Sequence, residues 1–404
     1  MTVKSMYGEL PEVEVDPIIK IMGRYHNDPT PDKIDVSIGV YKSEEGGPYV
    51  FPSVVKSKEM LAKNDPGHNY TNMAGIPEYT KAAREVIFGE TIANEGKIAS
   101  LQTISGTGAV HMASLFTASV GLNNYYVGTP FWSNYQPTIE HVGGKVNTYR
   151  HYDPELKQVD FKSTLEALNS APAKSVFLLQ ACCHNPTGAD FSQTQWKEIA
   201  TIMKERELYP FFDIAYQGFA SGDKDVDAWP IRYFYDLGME LLVCQSFSKN
   251  MGLYSERVGC LHVVSNDRSA LEKIQGQLVT FFRMECSFAP AWGARVAAGI
   301  MNKPELKQLW DQDVLDITTR MKSLRKSVLE KLTKLGTPGK WDHVLHSNGL
   351  FWYSGLTEEQ VGRMIEQEHV YMTFTGRVNI AGLNNANMDH FCESLDRVVR
   401  ETKN

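Results

Sequence analysis

The chain has 404 residues, a length at which about two to three domains are expected. With 42% hydrophobic and 22% charged residues, it has the composition of an ordinary soluble globular protein. Its formal net charge of −7 argues against nucleic acid or an anionic membrane as the main partner. No apolar run approaches the ~20 residues that span a bilayer, so no membrane partner is predicted.

The first residues, MTVKSMYGELPEVEVDP, are acidic and contain neither an apolar core nor an arginine-rich amphipathic pattern. They therefore predict neither a secretory signal nor a transit peptide, and we expect a cytoplasmic protein. The six cysteines are scattered, and none of them forms a C-x-x-C pair. This spacing predicts neither a disulfide framework nor a metal site.

Short apolar runs alternate with helix-period segments through the first three quarters of the chain. A serine and a glutamine, Ser192 and Gln195, form a capping box that begins one helix, and residues 108–119 form another. The predicted strands are residues 98–104, 123–128, 174–180, 209–214, 241–246 and 258–264. This alternation predicts an α/β fold with a mostly parallel sheet, covered on both faces, in a large domain over residues 45–310.

From about residue 310 the pattern changes to a smaller α+β domain, predicted over residues 311–404. A long charged helix over residues 305–334 is followed by two short strand candidates and a C-terminal helix, at residues 350–356, 376–382 and 387–403. Residues 1–44 are predicted to form an N-terminal arm and part of this small domain.

The polar segments that follow the predicted strands are the candidates for chemistry, because ligands bind at the carboxyl ends of strands in open α/β sheets. Lys249 follows an apolar strand, beside Ser246 and Ser248 and eight residues before Arg257. A lysine beside a buried strand can become a nucleophilic amine, and hydroxyls with an arginine suit a phosphate monoester. An ordinary loop with a solvated lysine explains the segment equally well.

Two other segments are ambiguous when taken alone. Ser105, Gly106 and Thr107 precede a helix whose N-terminus could hold phosphate, although a glycine turn before a helix is commoner. Asp213 ends an apolar strand, where an acid is usually a turn residue but can also pair with a protonated pyridine nitrogen.

In combination, the motifs CHNPTG, DIAYQGF, SFSKN with ERVG, and GRVNIAG follow one another in the order and spacing of the aspartate aminotransferases. The chain resembles this family of fold-type I pyridoxal-phosphate-dependent enzymes over nearly its whole length. The resemblance implies pyridoxal 5′-phosphate as cofactor and a homodimer with shared active sites. It also implies ping-pong transfer of the amino group of L-aspartate to 2-oxoglutarate, which gives oxaloacetate and L-glutamate.

The same resemblance assigns the cofactor site. Lys249 would form the Schiff base and act as general base and acid, Asp213 would hold the pyridine nitrogen protonated, and Trp132 would stack on the ring. Asn185 and Tyr216 would bind the phenolic oxygen. The phosphate would lie among seven residues, one of them (Tyr70) from the neighbouring subunit: Ser105, Gly106, Thr107, Ser246, Ser248, Arg257 and Tyr70.

For the substrate, the resemblance assigns the α-carboxylate to Arg377, assisted by Gly39, and gives Trp132 and Asn185 further contacts. Arg283 would reach across the dimer to the distal carboxylate. Two arginines suit a dicarboxylate, because each can form a bidentate pair. This pair favours transamination over a lyase or decarboxylase of the same fold.

The chain departs from the family at several positions. Tyr135 and Gln180 stand where histidines commonly support the pyridine-binding aspartate, and we expect both to form hydrogen bonds there. Around Arg283, the sequence RMECSFAP replaces the usual serine-asparagine-proline, and three aromatic residues, Phe288, Trp352 and Tyr353, are expected near it. Repacking of the domain junction and a pocket that also accepts aromatic amino acids are both open explanations. The adjacent cysteines beside His184 are not expected to bind a metal.

Overall fold

The computed structural model describes residues 5–402, and its centre is a seven-stranded sheet. Six strands run in one direction, and Val258–Val264 runs against both of its neighbours. In order across the sheet the strands are Ile98–Ile104, Val258–Val264, Leu241–Ser246, Tyr209–Ile214, Val176–Gln180, Asn124–Thr129 and Lys145–Arg150. The predicted α/β fold with a mostly parallel sheet is confirmed.

The burial of the strands explains which of them the sequence predicted. Every residue of Leu241–Ser246 and Val258–Val264 is buried, as expected for strands covered on both faces. The edge strand Lys145–Arg150 was not predicted, because its sequence KVNTYR is polar and only Tyr149 is buried. Hydrogen bonds to Asn124–Thr129 hold this strand in the sheet, although it has no apolar run of its own.

Helices cover both faces of the sheet and bury two separate apolar clusters. Three helices pack on one face: Ser105–Ser119, Tyr135–His141 and Leu271–Glu285. The other face is covered by Pro52–Lys63, Pro77–Ala93, Phe161–Ser170, Gln193–Glu205, Trp229–Asp236 and Trp292–Asn302, with the short helix Lys224–Asp227 beside them. The predicted capping box is present, because Ser192 and Gln195 exchange hydrogen bonds at the start of Gln193–Glu205.

A third apolar cluster lies in a smaller unit built around the end of the chain. Two short strand pairs belong to it: Phe351–Tyr353 antiparallel to Arg377–Asn379, and Ile34–Asp35 parallel to Val370–Tyr371. Its helices are the C-terminal half of Pro304–Leu335, Glu358–Glu366, Met388–Glu401 and Pro17–Asn27. Short 3-10 helices and a hairpin complete the chain, at Arg268–Ala270, Asp342–His346, Ile380–Gly382, Tyr152–Asp153 and Gln158–Val159.

The helix Pro304–Leu335 belongs to two of these clusters. Trp310 and Met321 pack in the core beside the sheet, whereas Leu324 and Leu332 pack in the smaller unit. The helix ends at Gly336, whose φ of 65° is the left-handed conformation that glycine adopts without strain. Within residues 5–402, no helix is long and apolar enough to cross a membrane.

Candidate active site

A cavity of about 340 Å³ lies at the carboxyl ends of the parallel strands, against the smaller unit. Of the fifteen residues that the sequence assigns to the site, thirteen line this cavity, and Tyr70 and Arg283 do not. The thirteen are Gly39, Ser105, Gly106, Thr107, Trp132, Asn185, Asp213, Tyr216, Ser246, Ser248, Lys249, Arg257 and Arg377. Residues far apart in the sequence are thus brought together at the place expected for a ligand site.

Lys249 reaches the cavity from the segment after the strand Leu241–Ser246. Burial, with Arg257 and Arg377 nearby, lowers the pKa of its amine to about 8. Its Nζ lies 4.9 Å from the ring centroid of Tyr254, and no carboxylate among residues 5–402 forms an ion pair with it. An amine with this pKa is partly neutral near physiological pH and can act as a nucleophile or a base.

Hydroxyls, a helix N-terminus and an arginine form a cradle at one end of the cavity. The Oγ atoms of Ser105 and Ser248 are 3.0 Å apart, and the helix Ser105–Ser119 begins at Ser105. A Cβ at Gly106 would lie 3.0 Å from Cβ of Ser246, so glycine allows this close approach. The guanidinium of Arg257 donates to the carbonyl of Tyr254 at 2.9 Å. This arrangement suits an anion with several oxygens.

Asp213 is buried at the end of its strand and accepts a hydrogen bond from the hydroxyl of Tyr135. Burial raises the pKa of Asp213 to about 6, and the hydrogen bond from Tyr135 opposes this rise. Gln180 forms no hydrogen bond with Asp213. Its side chain instead accepts from the backbone N–H of Asn185 at 2.8 Å and donates to the Asn185 carbonyl at 3.0 Å. The expectation that both Tyr135 and Gln180 support Asp213 is therefore correct only for Tyr135.

Arg377 is 6% exposed and lies at the opposite side of the cavity. It donates to the carbonyl of Ser37 at 2.7 Å and to Oδ1 of Asn185 at 3.2 Å, while its Nε–H is buried without a partner. The guanidinium lies 4.2 Å from the ring centroid of Phe351. A Cβ at Gly39 would lie 2.8 Å from Cζ of that ring. A buried cation with an unpaired N–H suits an anionic ligand.

Tyr70 and Arg283 are both exposed on the surface and do not line this cavity. The Tyr70 ring stacks on Phe288 with centroids 4.8 Å apart, and Nη1 of Arg283 contacts Sδ of Met73 at 3.4 Å. Tyr70 is 81% exposed. Both residues are predicted to serve a neighbouring subunit, and that prediction stays open.

Within one chain, Trp352 and Tyr353 pack against residues other than Arg283, and their contribution to an aromatic region around a partner's Arg283 stays a prediction. Trp352 is fully buried in the smaller unit, 5.5 Å from His343 between ring centroids, and Tyr353 packs on Tyr152 at 5.4 Å. The two residues are consecutive in the strand that pairs with Arg377–Asn379, so their side chains point to opposite faces of it.

The structure adds several residues that the sequence did not single out. Five apolar side chains line the cavity: Ile18, Ile38, Val40, Ala215 and Phe351. The two neighbours of Gly39 could have been suspected from their place beside a predicted site residue. Ile18 gives no such signal, because it is the second residue of a helix that begins after its cap Asp16.

The adjacent cysteines form a cluster with Asp227, and their ligand atoms lie within 4.8 Å of one another. Burial raises the pKa of the Cys183 thiol to about 11, which disfavours the thiolate that a metal needs. The Asp227 carboxylate already accepts hydrogen bonds from Gly218, Ala220 and Ser221. His184 is engaged with Thr187 at 2.8 Å. Burial and these hydrogen bonds are sufficient to explain why the cysteines and Asp227 lie together.

The sequence profile of the aminotransferase class I and II family matches residues 31–395. The chain belongs to this family. The cytoplasmic aspartate aminotransferase of Schizosaccharomyces pombe is 39% identical over 98% of both chains. An aspartate aminotransferase structure from the cytoplasm of Saccharomyces cerevisiae has a TM-score of 0.96, with 34% identity over 98% of this chain and 99% of that one.

An aromatic-amino-acid aminotransferase from Burkholderia pseudomallei, covalently bound to pyridoxal phosphate, has a TM-score of 0.95. It is 29% identical over 98% of this chain and all of that one. The aminotransferase class I and II family depends on pyridoxal phosphate, so this is the cofactor of the chain. The cavity fits it, because it combines a lysine amine, a buried acid and a cradle for a phosphate built from Ser105, Ser248 and Arg257.

Proposed function

We propose that the chain transfers the amino group of L-aspartate to 2-oxoglutarate, producing oxaloacetate and L-glutamate, with pyridoxal phosphate held in the cavity around Lys249. The observation that carries this proposal is the buried guanidinium of Arg377, which has an unpaired N–H in the same cavity as the Lys249 amine. An amino acid offers an α-carboxylate to the arginine and its Cα–H to the lysine, so one cavity can bind and activate it.

The cofactor residues follow from the chemistry of each contact. Ser105, Ser248 and Arg257, with Gly106, Thr107 and Ser246, would bind the phosphate, because hydroxyls, backbone N–H groups and a guanidinium all donate. Asp213 would accept a hydrogen bond from the protonated ring nitrogen. Bound there, the cofactor supplies a ring that withdraws electrons from the substrate's Cα–H bond.

Tyr216, Asn185 and Trp132 would fix the cofactor ring. Burial raises the pKa of Tyr216, so its hydroxyl stays a neutral donor for the phenolic oxygen. The side chain of Gln180 holds the backbone of Asn185. Oδ1 of Asn185 accepts from Arg377, so a residue proposed to bind the cofactor is linked to one proposed to bind the substrate. Trp132 lines the cavity and offers a flat face for stacking.

Lys249 would move the proton in this reaction. Its pKa of about 8 keeps part of the amine neutral at pH 7 to 8, so Nζ can remove the Cα proton of the substrate. The same Nζ can then hold the proton and return it, acting first as base and then as acid. Burial is the main cause of this lowered pKa, and Arg257 and Arg377 lower it further.

We infer that the enzyme acts as a homodimer in the cytoplasm. Tyr70 and Arg283 are exposed and lie outside the cavity of their own chain, which supports their use by a partner's site. Two arginines, one for each carboxylate, suit a dicarboxylic substrate. We also divide the chain into a large domain over residues 45–310 and a small domain over 311–404, with residues 1–44 as an arm and part of the latter.

A second substrate class is favoured by one contact. Phe288 follows Arg283 in the same segment and stacks on the ring of Tyr70, so this segment carries an aromatic surface as well as the guanidinium proposed to bind the distal carboxylate. Aromatic rings stack favourably on such a surface. We infer that aromatic amino acids are accepted in addition to aspartate, and the ratio of kcat/KM for phenylalanine and aspartate measures this preference.

The test of the main proposal is formation of oxaloacetate from aspartate and 2-oxoglutarate by the purified protein with pyridoxal phosphate. We expect a visible absorption band that aspartate bleaches, and activity that Lys249→Ala abolishes while Lys273→Ala retains it. Lys273 is a matched control because it lies on the outer helix Leu271–Glu285, away from the cavity. A protein without the absorption band would contradict the cofactor site, and turnover of other amino acids but not aspartate would contradict the substrate.

A further inference from the structure

The support of Asp213 in this chain differs from what a histidine would provide. The hydroxyl of Tyr135 donates to Oδ2 of Asp213, and among residues 5–402 it is the only side chain that does so. The other side-chain candidate, Gln180, uses both ends of its amide on the backbone of Asn185. Among the side chains of residues 5–402, the carboxylate therefore has a single donor, the phenol of Tyr135.

The Tyr135 ring is firmly held. It is 1% exposed at the start of the helix Tyr135–His141, and its backbone N–H donates to the carbonyl of Trp132 at 3.0 Å. The Trp132 ring meets it edge-on, with centroids 5.3 Å apart at 88°. The space beside the ring is a cavity of only about 10 Å³, too small for more than one water molecule. A ring packed in this way presents its hydroxyl in one place.

We propose that Tyr135 is a positioning residue for the cofactor. Its hydroxyl holds Asp213 by Oδ2, which leaves Oδ1 to accept the ring N–H of pyridoxal phosphate. This inference rests on the proposed function. One carboxylate oxygen is fixed by a neutral donor, so the other oxygen is oriented before the cofactor binds. Such preorganisation lowers the cost of ordering the side chain on binding.

The electrostatics support the same role. Burial makes the Asp213 anion costly, and the hydrogen bond from Tyr135 favours the ionised form that the ring N–H needs. Burial and the nearby Asp213 raise the pKa of Tyr135 well above its ordinary value, so the phenol stays neutral. The titratable groups facing the pair are Cys244 and Tyr216, His151 and His184 behind the ring, and Lys249 across the cavity.

The test compares the affinity of the enzyme for pyridoxal phosphate in two tyrosine variants. Tyr135→Phe keeps the ring and removes the donor, and we expect about tenfold weaker cofactor binding. The pKa measured from the visible band of the holoenzyme should also rise. The reason is that a ring nitrogen that is less often protonated withdraws less charge from the nitrogen of Lys249. Tyr149→Phe is the matched control, since this buried tyrosine lines the same small cavity but forms no hydrogen bond with Asp213. It should bind the cofactor as the parent does.

A double-mutant cycle separates positioning from packing. In an Asp213→Asn background, Tyr135→Phe should cause less than a twofold further loss of cofactor affinity, because its effect passes through the carboxylate. Equal losses in both backgrounds, or unchanged affinity and titration in Tyr135→Phe, would overturn the inference. Thermal unfolding of the cofactor-free variants distinguishes a folding defect. Failure of the parent enzyme itself to bind pyridoxal phosphate would contradict the proposed function instead.

Discussion

Arg377→Lys is the substitution that most directly tests the substrate side of the cavity. An arginine has five N–H donors, and Arg377 uses one for the carbonyl of Ser37 and one for Oδ1 of Asn185. Three remain, including the buried Nε–H, and two of them can form parallel hydrogen bonds to a carboxylate. Lysine keeps the positive charge but loses this fork.

The magnitude follows from the lost contact. One charge-assisted hydrogen bond contributes about 2 kcal/mol, so losing one of the two bonds to the α-carboxylate should lower kcat/KM by roughly 30-fold. Every amino acid has an α-carboxylate, so the same factor should apply to aspartate and to each other amino acid that the parent turns over. Steady-state kinetics with at least two substrates measures this directly.

Arg232→Lys is the matched control for this prediction. Arg232 is a partly buried arginine outside the cavity, and its guanidinium donates to the carbonyls of Ile87 and Val86 and to the Asp225 carboxylate. We expect this variant to lower Tm and to retain kcat/KM in the folded enzyme within about threefold. A loss with Arg377→Lys that is confined to aspartate, or is no larger than that of the control, would refute the assignment of Arg377 to the α-carboxylate.

Three further predictions concern Lys249, Gly39 and Arg283. The pKa of Lys249 is about 8 in the folded protein against 10.5 for an exposed lysine, so between these values the folded state binds fewer protons and stability rises with pH. In urea unfolding of the cofactor-free protein, Lys249→Met should therefore have a larger free energy of unfolding than the parent at pH 7. This difference in free energy should shrink by pH 10, and a difference that stays constant with pH would argue against a buried charge on Lys249. Gly39→Ala should raise KM about tenfold, because its Cβ would lie 2.8 Å from the Phe351 ring, whereas Gly47→Ala, with open space around it, should not. Arg283→Ala should weaken turnover of aspartate far more than that of phenylalanine, and equal losses would remove this arginine from substrate selection.

The sequence predicted the sheet well, because its central strands are buried apolar runs. It missed Lys145–Arg150, where hydrogen bonding to one neighbour replaces an apolar pattern. It also assigned thirteen residues that meet in one cavity, since motif order carries that information. It could not predict that Gln180 turns to Asn185 while Tyr135 alone reaches Asp213, because residue type and spacing do not say which polar group a side chain will meet. Such choices depend on loop geometry.

The shared helix Pro304–Leu335 has a mechanical consequence for catalysis. Its 32 residues extend for ~48 Å, and Arg325 on it binds the carbonyl of Phe351, whose ring lies against Arg377. Arg377 is thus anchored, through two contacts, to a helix whose other end packs beside the sheet at Trp310. An engineer who exchanges the C-terminal segment for that of another aminotransferase must therefore carry the whole helix, or the grafted side of the cavity will lose its alignment with Lys249.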